Sequence, residues 1–144
     1  MGSWRDETSQ QAQDDFDDLL NLCLPLAESH LAKRRSLVPF HGVVGVDGKT
    51  GLGMVHTQET NGILLLELHR STLRSERSHN RASALVFDVR LPELGTDAVQ
   101  LDLEHAEGVS LTIQVPYSYV GLRRKFTAGA MTVSSGVLTI WVEA

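Results

Sequence analysis

Cysteine occurs once in the 144 residues, at position 23, which excludes an intramolecular disulfide and a cysteine-based zinc cluster. Long apolar runs are missing as well. Stretches such as Ile63 to Leu66 fall far short of the roughly 20 residues that a membrane-spanning helix needs. The N-terminal segment carries Asp6, Glu7, Asp14, Asp15, Asp17 and Asp18 and lacks the apolar core of a secretory signal, so a cytoplasmic setting is expected. Aromatic residues make up only 6% of the chain.

What is present is the composition of an ordinary globular domain, 42% hydrophobic and 22% charged, at a length that suits one core. The net charge of -5 makes a general nucleic-acid binder unexpected. The charge is uneven, because ten of the thirteen basic residues fall in three short stretches: Lys33 to Arg35, Arg70 to Arg81, and Arg123 to Lys125. A local basic patch could therefore still hold an anion.

The first 13 residues are polar and aperiodic and read as a disordered leader, with a single domain over residues 14–144. Phe16, Leu19, Leu20, Cys23, Leu26, Ala27, His30 and Leu31 then recur at spacings of three and four, the stripe of an amphipathic helix. Asp14 or Asp15 is the expected cap, and Pro25 predicts a kink or break. Cys23 lies on the stripe and reads as an inert buried thiol. Phe40 to Val46 and Leu52 to His56 flank Asp47-Gly48-Lys49-Thr50-Gly51, a hairpin signal. Asn61 to His79 suggests a second, Asn-capped helix, although Ile63 to Leu68 alone also fits a buried strand.

Three alternating segments follow. Leu85, Phe87, Val89 and Leu91, then Val99, Leu101 and Leu103, then Val109, Leu111, Ile113 and Val115 put apolar residues at odd positions, predicting strands with those side chains on a core. Phe126 to Val133 and Val137 to Val142, around Ser134-Ser135-Gly136, predict a closing hairpin. The fold class is thus α+β: an antiparallel sheet of five to seven strands packed against two helices, in the order α-β-β-α-β-β-β plus a C-terminal hairpin. This order resembles that of profilin-like, roadblock and PAS-type domains. The stretch from Ala84 to Tyr117 is also similar to small bacterial proteins of α+β type, and neither likeness implies an activity.

Four constellations are candidates for chemistry. Gly48-Lys49-Thr50 imitates the end of a phosphate-binding loop, but Val43 stands where that motif needs glycine, so the residues read as a turn. Arg70, Arg74, Arg77 and Arg81 are spaced four, three and four apart, which on a helix would align four guanidinium groups for an anion or an acidic partner. No aromatic residue interleaves them as a base-stacking surface would require. Asp88, Asp102, Glu104 and His105 read as a polar sheet face open to a small molecule or to acid-base chemistry. On one strand, however, Asp102 and Glu104 stand about 7 Å apart and parallel rather than convergent. His41 and His56 would face each other across a two- or four-residue hairpin loop, yet no third ligand lies nearby, so neither a metal nor a cofactor is expected. The reading that fits best is a non-enzymatic interaction domain binding a protein partner or a second copy of itself.

Overall fold

The computed structural model describes residues 4–142 and has the α+β architecture expected, a single domain with two helices and a curled antiparallel sheet. A 3-10 turn, Trp4–Glu7, precedes helix α1, Gln10–Arg34. The expected disordered leader is therefore corrected over residues 4–13; Met1 to Ser3 lie outside the described residues. The cap is Ser9 rather than Asp14 or Asp15, its hydroxyl accepting from Ala12 N at 3.0 Å. Trp4 packs on Phe16 with ring centroids 5.7 Å apart, which ties the turn to the core.

Helix α1 also runs through Pro25 without a break. Pro25 has no N–H for the carbonyl of Asn21, but both residues lie on the exposed side of the helix, where water can satisfy that carbonyl. On the opposite side Phe16, Leu19, Cys23, Ala27 and Leu31 enter the main core. Burial pushes the Cys23 thiol up to about 12, consistent with an inert side chain.

Strands β1 (Phe40–Gly45) and β2 (Thr50–Gly53) form the first hairpin, closed through Gly48 at φ +85°. Helix α2, Gly62–Ser75, follows, so Ile63 to Leu68 is helical. Asn61 caps it, accepting from Ile63 N and Leu64 N at 3.0 and 3.1 Å. Strands β3 (Asn80–Leu91), β4 (Thr96–His105) and β5 (Val109–Val120) make the meander. Short strands β6 (Lys125–Ala128) and β7 (Thr132–Ser135) end the sheet, whose order is β2-β1-β3-β4-β5-β6, with β7 also on β5. The predicted strand over Val137 to Val142 is absent: β6 and β7 each pair with β5, and the final residues form an irregular strap.

Helix α1 covers one face of the sheet and α2 lies on the other. In β4 and β5 the odd residues Val99, Leu101, Leu103, Leu111, Ile113 and Val115 belong to the α1 core, as their alternation predicts. In β3 the expectation inverts. Its register, Ala84↔Leu103 and Val86↔Leu101, puts the even residues Ala82, Ala84 and Val86 under α1. Leu85 and Phe87 are buried on the α2 face, outside that cluster. A strand covered on both sides carries apolar residues at both parities, and the larger side chains mimic a one-sided pattern.

Candidate functional site

The four polar residues expected on one sheet face divide between two. Asp102 and Glu104 point to the α2 face, whereas Asp88 and His105 register with residues of the α1 face, Asp88↔Val99 and Ala82↔His105. Asp88 accepts from the Tyr117 hydroxyl at 2.9 Å, and burial raises its carboxyl above the usual range despite that bond. His105 is buried against α1, where its Nε2 lies 2.9 Å from Asp15 Oδ2. The His105 Nδ1 accepts from Glu107 N at 3.1 Å, so the ring is held as the tautomer that donates from Nε2.

The arginine series divides as well. Helix α2 ends at Ser75, so only Arg70 and Arg74 lie on it; Arg77 follows in a turn and Arg81 belongs to β3. Arg81 grips Asp15 with Nε and Nη2 at 2.8 and 2.9 Å. Burial pushes the Asp15 carboxyl up, but the bonds from Arg81 and His105 outweigh it and hold the group below its ordinary value. The Asp15, Arg81 and His105 side chains thus fasten α1 to the sheet. Asp15 was detectable in principle, as a charge one position from the apolar stripe that leads to Phe16.

On the α2 face Glu104, Arg74 and Arg77 converge on the strap. Glu104 is 3% exposed, and its carboxylate accepts from Thr139 N at 2.7 Å, Ile140 N at 2.8 Å and the Thr139 hydroxyl at 2.6 Å. Arg74 Nε donates to the Thr139 carbonyl at 2.7 Å, and Arg77 Nη1 donates to those of Ile140 and Val142 at 3.0 and 3.2 Å. Ile140 itself is 2% exposed. Three charged side chains therefore read main-chain donors and acceptors of an irregular segment, and one aliphatic side chain anchors it. Nothing in the local sequence of Val137 to Val142 announces this, because the grip comes from residues more than 30 positions away.

A row of polar side chains continues along α2. Glu67, Arg70 and Arg74 fall on one helical stripe with Ile63, at spacings of four, three and four. Glu67 lies 3.6 Å from Arg70 and 3.7 Å from Arg74, and Arg70 lies 3.7 Å from Asp102. Gln100 donates to Asp102 at 2.9 Å and Gln114 to Gln100 at 2.9 Å, a polar ladder across β4 and β5. Burial raises the Asp102 carboxyl above its usual value, with Gln100 and Arg70 opposing the shift.

Helix α2 is fixed to the sheet by His69 and Leu73, its two buried residues. The Nδ1 atoms of His69 and His41 lie 2.8 Å apart. One ring donates to the other across this contact, according to the tautomers the two histidines adopt. The expected pairing of His41 with His56 is thereby corrected: the register is His41↔Gly53, and His56 lies beyond β2. Gly53 is required there, since a Cβ would collide with the His41 ring. Burial holds both imidazoles below their ordinary values, that of His69 at about 4. Toward its N-terminus α2 instead exposes apolar residues, Ile63 at 77% and Leu64 at 52%.

Among the described residues no group of three or more His, Cys, Asp or Glu gathers to hold a metal ion, and no helix is long and apolar enough to cross a membrane. Compared with family models, curated proteins and solved structures, the chain finds no match.

Proposed function

We propose that the protein is a non-enzymatic interaction domain that receives a segment of another protein on the α2 face of its sheet. The observation that carries this reading is the grip of Glu104, Arg74 and Arg77 on main-chain atoms of the strap. Side chains spent on backbone groups recognise an extended chain rather than a reacting atom. The exposed Ile63 and Leu64 add apolar surface at the other end of α2. All four candidate arginines are engaged within the chain, which disfavours a polyanion as the ligand. A cytoplasmic setting suits the single buried thiol of Cys23.

A photo-reactive residue at position 64, introduced in the native host, tests the reading. Capture of one protein identified by mass spectrometry is expected, and its binding to the purified chain should fall at least tenfold with Glu104→Gln. Binding that is indifferent to Glu104→Gln, or no discrete partner from position 64, refutes the proposal. Capture of a second copy alone would redirect it to self-association.

A further inference from the structure

We infer that the C-terminal end of α1 and the β5–β6 turn form a docking surface for an anionic lipid bilayer, on which the protein rests with Leu122 inserted among the headgroups. This surface is separate from the α2 face and holds the two basic stretches that face leaves unused, Lys33 to Arg35 and Arg123 to Lys125.

The fold brings those two stretches together. Arg35 Nη2 donates to the Arg124 carbonyl at 3.1 Å, and the Arg35 guanidinium carbon lies 4.8 Å from the centre of the Tyr119 ring. The Tyr119 hydroxyl donates at 2.7 Å to the carbonyl of Leu31, in the last turn of α1. Lys33, Arg34 and Arg35 thus end the helix beside Arg123, Arg124 and Lys125, and all six are exposed. Like charges so close repel one another, and the ion pairs among the described residues fall on other cations. The acids that act on Tyr119 are engaged elsewhere, Asp88 with Tyr117 and Asp97 with Arg90. Arg35 and Arg124 are also the non-glycine residues with positive φ among the described residues, at 56° and 52°. One is the C-cap of α1 and the other closes the β5–β6 turn through its N–H to the Gly121 carbonyl, positions where glycine sits without strain. An arginine at each costs stability that an anion bound there returns.

The turn also projects. Tyr117 is the last residue of β5 paired with β4, and Ser118, Tyr119 and Val120 pair with β6 alone, so the two strands run on past the sheet as a narrow ribbon braced on α1 by Tyr119. At its tip Leu122 is 105% exposed, an aliphatic side chain standing clear of its own chain and next in sequence to three cations. That combination fits a bilayer interface, where lysine and arginine meet anionic headgroups while an apolar side chain enters the acyl boundary. It does not fit a nucleic acid, because the rings of Tyr119 and Phe126 pack on one another and Arg35 covers Tyr119, leaving no platform for a base. Binding to a surface needs no membrane-spanning segment. Glu104 lies at the opposite end of β4 from Asp97, whose partner Tyr117 leads into the ribbon, so the strap region stays open while the tip is docked.

Co-sedimentation of the full-length chain with large vesicles at physiological ionic strength tests the proposal. Vesicles with one phosphatidylserine in three lipids should bind the protein at least tenfold more tightly than vesicles of phosphatidylcholine alone. Each cation near such a surface contributes about fivefold in affinity, so Arg123→Glu combined with Lys125→Glu should weaken binding at least tenfold. Leu122→Ser, which keeps every charge, should weaken it at least threefold. Arg124→Gly should also weaken it at least threefold while the melting temperature holds or rises, because glycine relaxes the left-handed backbone there. All the substituted side chains are exposed, so the variants should fold, and thermal melts check that they do. No binding to the phosphatidylserine vesicles overturns the proposal, as does binding that the charge reversal leaves intact. Binding indifferent to Leu122→Ser, or tighter binding to duplex DNA at the same ionic strength, overturns the choice of a bilayer as the partner. A fall in melting temperature with Arg124→Gly overturns the argument that the arginine is held there for its charge.

Discussion

Acidification should loosen α2 through the histidine pair before it protonates most carboxylates. His69 and His41 share one hydrogen between Nδ1 atoms 2.8 Å apart, and a second proton would set two N–H groups against each other in a buried site. A base whose folded pKa lies below its unfolded value binds fewer protons when folded. The stabilisation is therefore complete above about pH 6.5 and falls as the pH drops from there to about 4. The slope from His69 alone is at most about 1.4 kcal/mol per pH unit, and the whole drop from 6.5 to about 4 amounts to about 3 kcal/mol. That is a large part of the roughly 5–15 kcal/mol that holds a domain folded. The raised carboxyls of Asp88 and Asp102 act in the opposite sense, so the histidine contribution is read by difference. Urea unfolding of the unaltered chain and of His69→Gln between pH 7 and pH 4.5 should give curves that converge toward acid, with the unaltered chain more stable at pH 7. Titration of the His69 ring by NMR should give a midpoint near 4. Parallel stability curves, or a midpoint near 6.5, would refute the argument.

Three further outcomes are expected. Asp15→Asn leaves the Arg81 charge without its buried anion and should cost about 3 kcal/mol in chemical denaturation, at the low end for a broken buried pair because Arg81 keeps some contact with water. Gly53→Ala drives a methyl into the His41 ring and should cost about 1–3 kcal/mol, whereas Gly51→Ala, whose Cβ meets only Val43 at 3.7 Å, should change the melting temperature little. Pro25→Ala restores a donor for the Asn21 carbonyl within a continuous helix and should stabilise by about 1–3 kcal/mol; a lower melting temperature would contradict the account of the exposed side of α1.

The parts of this molecule legible in its sequence are those governed by local period. Strands β4 and β5 carry their large aliphatic side chains on one face only, so their odd residues declare the core. Strand β3 misleads because Ala82 and Ala84, small under α1, look less committed than Leu85 and Phe87 on the opposite side. The arginine spacing is real over Arg70 and Arg74, but the helix ends at Ser75, and nothing local reveals that Arg77 turns to the strap and Arg81 to Asp15. The histidine pair is equally non-local, since His69 sits 28 residues from His41. The chemistry of isolated residue types is visible in a sequence only when their partners are near, and here Glu104 and Thr139 stand 35 positions apart.

The division of the β5 edge between β6 and β7 has a consequence for solubility. Left bare, a 12-residue strand would offer a long row of unpaired main-chain groups to any neighbouring molecule. Two four-residue pieces cover it instead, and the opposite margin ends on β2, also four residues and half glycine. Both outer margins of the described sheet are thus four-residue strands, which offer a neighbouring molecule few main-chain groups to pair with.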